Sequence, residues 1–168
     1  MVCLICIVGE KIVKMVRRDV KRALVLYHSQ QYGNTEAMAN AVAEGIKSAG
    51  VEVDPFNTAG GRFDAPTFGK YSCVAFGSPD YFSYVAGGIK TFMDDWYVAK
   101  GKGAPDMSGK PYALFFTHGG GGKAKEAMEG LFRSVGKQVG TTVECQGKPD
   151  QDTLKKCREL GAQLAASA

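Results

Sequence analysis

The side chains best suited to chemistry lie in a polar loop between an apolar run and a helical pattern. The apolar run Leu24–Tyr27 predicts a buried strand, and the pattern from Glu36 to Val42 predicts a helix. Free backbone N–H groups and the positive end of a helix dipole converge at such a helix start. The loop is therefore predicted to bind an anion, or else to cap the helix with its hydroxyl and amide groups. Its candidate donors are Ser29, Gln31, Tyr32, Gly33, Asn34 and Thr35.

The composition of this first loop narrows the kind of anion. The loop does not follow the Gly-x-x-x-x-Gly-Lys-Ser/Thr pattern of nucleoside triphosphatases. It also contains no lysine and no carboxylate that would hold a metal ion. Such a donor set suits a static monophosphate better than a phosphoryl group in transfer.

A second loop, over residues 77–88, carries three aromatic rings, those of Tyr81, Phe82 and Tyr84. Exposed rings are unfavourable in water unless something flat covers them, and an aromatic ligand would do so. A protein-binding patch is the alternative interpretation. The polar start of the same loop, Ser78-Pro79-Asp80, adds further candidate ligands.

A third loop, Thr117-His118-Gly119-Gly120-Gly121, has almost no side chains beyond its first two residues. A ligand can lie directly against such a backbone. His118 has a second interpretation, as a cap for the helix that follows, and His28 is interpreted as a satisfied histidine at a strand end. A phosphate loop, an aromatic loop and a backbone loop together predict a mononucleotide with a large flat ring.

The order of elements predicts an α/β fold. Runs that are apolar throughout, such as Cys73–Phe76, are typical of parallel strands buried on both faces. Strands are predicted at 23–28, 52–56, 72–77, 111–117 and 141–145, and helices at 35–49, 87–99, 123–140 and 150–166, with a weaker helical or irregular link at 57–70. This alternation predicts a three-layer α/β/α sandwich around a five-stranded parallel sheet in the order 2-1-3-4-5. In that order the three loops meet at one rim of the sheet.

The remaining features bound the class of protein. Residues 1–22 hold six basic and two acidic side chains, which account for the whole net charge of +4, so residues 23–168 carry no basic excess that would predict nucleic-acid binding. This N-terminal basic extension is predicted to precede a single domain over 23–168. Its apolar start is far below the ~18 residues that a membrane span needs. Five cysteines, an odd number, predict a reducing, cytoplasmic location, and the Cys3-x-x-Cys6 pair alone is a weak zinc or redox signal.

From Ala23 to the C-terminus, the chain resembles the flavodoxin-like FMN-binding family. The resemblance lies in Ser29-x-x-Tyr-Gly-Asn-Thr35, in Gly77-Ser-Pro-Asp-Tyr-Phe82 and in Thr117-His-Gly-Gly. The last two motifs are most similar to the tryptophan-repressor-binding-protein type of NAD(P)H:quinone oxidoreductase. Two departures stand out. The first loop is one residue longer than the usual flavodoxin loop, and Ser83 replaces the glycine that usually follows the aromatic pair in the reductases.

The resemblance implies FMN as cofactor, held through its phosphate by the first loop. It places Ser78, Pro79, Asp80, Tyr81 and Phe82 along the flavin ring, and Thr117 to Gly121 at its pyrimidine side. Two functions follow from it, a reductase that passes electrons from NAD(P)H to a quinone-like acceptor, or a one-electron carrier between redox protein partners. The neutral domain and the open third loop favour the reductase, since shuttle flavodoxins are typically acidic. A homo-oligomer is left open, and an FMN-binding regulator is a more distant alternative.

Overall fold

The computed structural model describes residues 21–168, so nearly all of the predicted extension, with Cys3 and Cys6, lies outside the described residues. The strands are β1 Arg22–Tyr27, β2 Glu52–Asn57, β3 Cys73–Tyr81, β4 Tyr84–Val85, β5 Lys110–His118, β6 Gly136–Gln138 and β7 Val143–Gln146. The α-helices are α1 Asn34–Ser48, α2 Gly87–Gly101, α3 Ala124–Leu131 and α4 Gln151–Ala166. Short 3-10 helices cover Ala65–Lys70 and Phe132–Ser134. Within this part of the chain, no helix combines the length and the apolar character needed to cross a bilayer.

The main sheet is parallel and runs in the order β2-β1-β3-β5, with β6 and β7 sharing the position beyond β5. This arrangement confirms the predicted order 2-1-3-4-5. A two-residue strand, β4, pairs antiparallel with the end of β3 and forms a hairpin within the predicted second loop. The carboxyl ends of β1, β3 and β5 therefore meet at one rim, as the sequence predicted.

Both faces of the sheet are covered, which explains why its central strands are apolar throughout. In β1, Leu24 and Leu26 belong to the core on the side of α2 and α3. Ala23 and Val25 belong to the core on the side of α1 and α4. Because successive side chains of a strand point to opposite faces, a strand with two buried faces has no polar position.

Helices α1 and α4 pack with their backbones in contact at two glycines. A Cβ added to Gly45 would lie 2.0 Å from the carbonyl oxygen of Arg158, and a Cβ added to Gly161 would lie 2.1 Å from that of Val42. Both distances are far below van der Waals contact, so neither position has room for a methyl group. The close approach fixes α1, and with it the helix start beneath the first loop.

The helix predicted at 123–140 is wrong in its second half. The α-helix ends at Leu131, a 3-10 turn follows, and residues 136–138 form β6 beside β5. The apolar residues Phe132 and Val135, which fitted a helical spacing, are instead buried in the turn. At Gly136 the chain approaches β5 so closely that a Cβ would lie 2.0 Å from the carbonyl oxygen of Lys110. This tertiary contact overrides the local helical pattern.

The two edges of the sheet differ. One edge is β2, which contains Pro55. The other is formed by two short strands, β6 and β7, separated by residues 139–142.

Candidate functional site

The first loop ends in an uncapped helix start. Gly33, the N-cap residue of α1, has a φ of 71°, in the left-handed region that favours glycine. Its carbonyl accepts the first helical hydrogen bond from Ala37 N at 2.9 Å. Among the described residues no side chain caps α1, which argues against the capping alternative. The first-turn N–H groups are therefore available to an anion.

The three loops line one pocket at the carboxyl ends of β1, β3 and β5. Its lining residues are Ser29, Gln30, Gln31, Tyr32, Gly33, Asn34, Thr35, Pro79, Asp80, Tyr81, Thr117, His118, Gly119 and Gly147. Four predicted residues do not line it, namely Ser78, Phe82, Gly120 and Gly121. Two lining residues, Gln30 and Gly147, were missed by the sequence reasoning. Gly147 directly follows β7, which corresponds to the strand predicted at 141–145. The carboxyl end of that predicted strand was the signal that could have found Gly147.

A buried hydroxyl pair joins the first loop to the third. Thr35 Oγ1 and Thr117 Oγ1 lie 2.8 Å apart, and both side chains are buried at the wall of the pocket. Each hydroxyl can accept one hydrogen bond and donate another. One hydroxyl of the pair therefore keeps a hydrogen that it can donate to a ligand.

Asp80 braces the second loop and also caps α3. Its Oδ1 accepts a hydrogen bond from Ser83 N at 2.8 Å, and its Oδ2 accepts one from Ala124 N, the first residue of α3, at 3.0 Å. Ser78, which is fully buried, accepts a hydrogen bond from Ala86 N at 2.9 Å and so closes the base of the hairpin. Asp80 and Ser78 thus shape the second loop through backbone contacts.

The tip of this hairpin is strained and presents an aromatic ring to solvent. Phe82 and Ser83 have φ values of 56° and 64°, in the left-handed region. Each such residue costs roughly 1–2 kcal/mol when it is not glycine. The Phe82 side chain is fully exposed, whereas Tyr81 lines the pocket. Ser83 thus occupies a conformation that glycine would adopt without strain.

Replacing Asp80 with alanine is expected to destabilise the protein by about 1–2 kcal/mol, since a helix cap and a turn bond are lost together. For the FMN that the resemblance implies, affinity should fall to the same degree as for riboflavin, because Asp80 braces the second loop and does not lie in the first loop. Thermal unfolding and flavin titration would measure both effects. Glu126→Ala, which changes an exposed carboxylate in the first turn of α3, is the matched control. A loss confined to FMN would contradict this role.

The third loop is held by β7 and the residue that follows it. His118 Nε2 lies 2.9 Å from Glu144 Oε1, Gly147 N donates to the His118 carbonyl at 2.9 Å, and Gln146 Nε2 donates to the Gly119 carbonyl at 3.3 Å. His118 therefore does not cap α3, because Asp80 binds the first N–H of that helix. The alternative interpretation of His118 as a helix cap is wrong.

His28 is a satisfied, buried histidine, as predicted. Its Nδ1 lies 2.9 Å from Thr58 Oγ1, and its Nε2 lies 3.2 Å from Gln30 Oε1. A neutral ring satisfies both contacts when the Thr58 hydroxyl donates to Nδ1 and Nε2–H donates to Gln30 Oε1. The His28 ring meets Tyr81 edge-on at 6.0 Å between centroids. Burial lowers the pKa of His28 below its ordinary value of 6.5.

This lowered pKa gives a prediction for the pH dependence of stability. The unfolded chain binds a proton at His28 more readily than the folded protein does, so the contribution of His28 is complete above pH 6.5 and is lost as pH falls towards its lower folded pKa. We expect the melting temperature to decrease from pH 7.5 to pH 5.5. In His28→Gln, which keeps polar atoms near Thr58, this decrease should be smaller. An identical pH profile in the variant would contradict the assignment.

The comparisons with known proteins define the class. Residues 25–161 match the family model described as Flavodoxin, and the chain belongs to this family. FMN is the cofactor of the family, which confirms the prediction made from the three motifs. The protein is thus a flavodoxin-like FMN flavoprotein.

The relatives include proteins much longer than this chain. Diflavin flavoprotein A 3 of Synechocystis sp. is 31% identical over 145 residues, which are 84% of this chain and 23% of that protein. Diflavin flavoprotein A 5 of Nostoc sp. is 28% identical over 155 residues, which are 89% of this chain and 26% of that protein. The chain therefore spans about a quarter of the length of these curated relatives.

Similar solved structures include both short and long chains. A flavodoxin from the domain Archaea has a TM-score of 0.74 and 26% identity, covering 86% of this chain and 96% of that one. The Flv1 flavodiiron core from Synechocystis sp. has a TM-score of 0.75 and 26% identity, covering 96% of this chain and 39% of that one. A WrbA-like flavodoxin from Agrobacterium tumefaciens, with a TM-score of 0.68 and 22% identity over 87% of this chain and 96% of that one, shares the fold.

Three features of the pocket fit FMN. The uncapped start of α1 suits the phosphate, and the three glycines of the third loop leave space for a flat ring. His118, which also lines the pocket, has a buried Nδ1 without a hydrogen-bond partner among the described residues. A buried polar atom without a partner is costly unless a ligand or water satisfies it.

Proposed function

We propose that the chain holds FMN in this pocket and exchanges electrons with a redox protein partner. The observation that carries the proposal is the convergence of three loops on one pocket. The first loop provides an uncapped helix start, the second an aromatic ring, and the third exposed backbone. When bound, FMN supplies the electron chemistry, and the protein supplies binding and orientation.

The first loop would hold the phosphate. Gly33, Asn34 and Thr35 place backbone N–H groups and side-chain donors at the positive end of α1. The phosphate site would be completed by Ser29, Gln31 and Tyr32, which line the same pocket. The buried Thr35–Thr117 pair would keep this loop in register with the third loop.

The other two loops would hold the flavin ring. Tyr81 lines the pocket and can stack on a flat ligand. Pro79 and Asp80, which bonds Ser83 N and Ala124 N, would fix the position of Tyr81. Thr117, His118 and Gly119 would face the polar edge of the ring through the third loop. Phe82 lies outside the pocket and would lie beside the mouth, where a partner approaches.

A carrier role is favoured by the relatives that share sequence as well as fold. The archaeal flavodoxin is matched over nearly its whole length at 26% identity, and the longer relatives are called diflavin flavoproteins. The similarity to the WrbA-like protein, at 22% identity, concerns the fold. The exchange of electrons with a separate redox protein is therefore the better supported function.

An NAD(P)H:quinone oxidoreductase is the second candidate. It is favoured by the third loop, where Gly119, Gly120 and Gly121 have no neighbouring atoms within 4 Å of an added Cβ. An uncovered ring face beside this loop would let a nicotinamide and then a quinone stack at the same place. The exposed rings of Phe82 and Tyr84 would then form the rim of that place.

One set of assays separates the two candidates. FMN should bind one per chain, as measured by quenching of its fluorescence. A carrier should reduce cytochrome c from NADPH only when a separate flavodoxin reductase is added. Steady oxidation of NADPH with benzoquinone by the FMN-loaded protein alone, with parallel double-reciprocal lines, would establish the reductase instead. A protein that takes up no FMN at micromolar concentration would overturn both candidates.

A further inference from the structure

A buried histidine at the wall of the pocket has one satisfied and one unsatisfied nitrogen. The side chain of His118 is 7% exposed, and its Nε2 lies 2.9 Å from Oε1 of Glu144, whose side chain is 42% exposed. His118 Nδ1 is buried and has no hydrogen-bond partner among the described residues. Leaving such a buried group unpaired is unfavourable. The pair thus keeps an unfavourable arrangement beside the pocket.

Glu144 determines which nitrogen is left over. An ionised carboxylate can accept a hydrogen bond and cannot donate one, so His118 Nε2 carries the hydrogen that points to Glu144. In the neutral ring, Nδ1 then has a free lone pair and acts as an acceptor. Glu144 therefore makes Nδ1 the acceptor without itself lining the pocket.

The imidazole ring is also fixed in orientation. It stacks on Phe116, with 5.7 Å between ring centroids and 30° between ring planes. Gly122 closes the other side, because an added Cβ would lie 2.4 Å from Glu144 Oε1 and 3.3 Å from His118 Nε2. The ring cannot turn to exchange its two nitrogens without breaking these contacts.

A free acceptor at this wall is complementary to one atom of an oxidised flavin. The isoalloxazine ring carries a single N–H group, N3–H, on its pyrimidine part. Its other polar ring atoms are acceptors. A hydrogen bond to Nδ1 therefore selects N3–H and the pyrimidine edge.

We propose that His118 Nδ1 accepts a hydrogen bond from N3–H of bound FMN, and that Glu144 is the positioning residue that makes this possible. The inference rests on the proposed function, since it places FMN in the same pocket. Nδ1 is shielded in the described conformation, so the glycine part of the third loop would have to shift for the ligand to reach Nδ1 while the imidazole keeps its contacts. Gly119, Gly120 and Gly121 have open space around them, which permits this shift.

Nitrogen-15 NMR of the imidazole rings tests the proposal directly. The chain has two histidines, so ring-labelled protein gives two sets of signals, which His28→Gln assigns. Addition of FMN or of riboflavin should move the His118 Nδ1 signal upfield, as expected for a nitrogen that begins to accept a hydrogen bond. The ligand control is 3-methylriboflavin, which has the same ring without N3–H and should leave Nδ1 in its free state.

Two substitutions separate positioning from folding. Glu144→Gln keeps an oxygen that accepts from Nε2–H, so the Nδ1 response to riboflavin should survive. Glu144→Leu removes the acceptor, so the hydrogen is free to move to Nδ1 and the response should be lost. His118→Phe keeps the stack on Phe116 and should weaken riboflavin about two- to tenfold, while 3-methylriboflavin is unaffected.

The outcomes distinguish this inference from the proposed function. Quenching of FMN fluorescence with an unchanged Nδ1 signal would overturn the role of His118 and leave the FMN pocket intact. The same would follow if 3-methylriboflavin moved Nδ1 as far as riboflavin does. No quenching of FMN by the wild-type chain would overturn the proposed function and this inference together.

Discussion

Thr35→Ala is expected to weaken FMN binding about ten- to a hundredfold, because it removes a donor to a charged acceptor worth about 1.5–3 kcal/mol. Riboflavin has no phosphate, so its affinity should change little. Thr35 is the second residue of α1, and its hydroxyl is buried beside the pocket, where a donated hydrogen bond would be strong. Titration of both flavins by fluorescence quenching measures the difference.

Two variants control for the structural role of Thr35. Thr35→Ser keeps the hydroxyl and should retain most of the FMN affinity. Thr117→Val removes the hydroxyl that lies 2.8 Å from Thr35 Oγ1 and keeps the shape of the side chain. If Thr117→Val weakened FMN as much as Thr35→Ala, and riboflavin fell equally in both, the pair would be a structural link and not a phosphate ligand.

Gly161→Ala is expected to destabilise the protein by about 1–3 kcal/mol or more, because the added methyl group would enter the backbone of α1. An ideal Cβ lies 2.1 Å from the Val42 carbonyl oxygen and 3.1 Å from Ile46 N, so the helices must move apart. Urea unfolding followed by circular dichroism gives the free energy of unfolding. Separation of the helices should also weaken FMN binding, since α1 begins directly after the first loop, where we propose that the phosphate binds.

Gly130→Ala is the matched control for this prediction. Gly130 lies in α3, and no atom lies within 4 Å of the position of an added Cβ. The same substitution should stabilise the protein there by about 0.4–1 kcal/mol, since alanine is the better helix former. Equal destabilisation at both positions would show that the contact with Val42 is not what matters.

The parts of the fold that depend on local pattern were predictable. The strand–loop–helix unit around Ser29–Thr35 could be predicted because an apolar run, a glycine and a helical pattern follow one another within a few residues. The order of the main strands then followed from the number of strand–helix units. That order alone brings the three loops to one rim, because it places the carboxyl ends of β1, β3 and β5 side by side.

The parts that depend on distant contacts were not predictable. Asp80 caps α3 from 44 residues away, so its carboxylate appeared to be free for a ligand. The partner of His118 is Glu144, on another strand, and nothing local signals that pairing. The error in the helix at 123–140 has the same origin, because the close approach of Gly136 to Lys110 decides the structure there.

Pro55 limits strand pairing between two copies of this protein at the β2 edge. Glu52 N donates to the Lys21 carbonyl at 3.2 Å, and Thr58 N donates to the Tyr27 carbonyl at 2.8 Å, so both nitrogens point inward towards β1. Because backbone groups alternate in direction along a strand, the nitrogen of Pro55 points outward. A foreign strand that adds to this edge would find no amide hydrogen at the middle of β2. At the opposite edge, the break between β6 and β7 interrupts any continuous ladder. Both borders of the sheet therefore resist the intermolecular strand pairing that leads to aggregation.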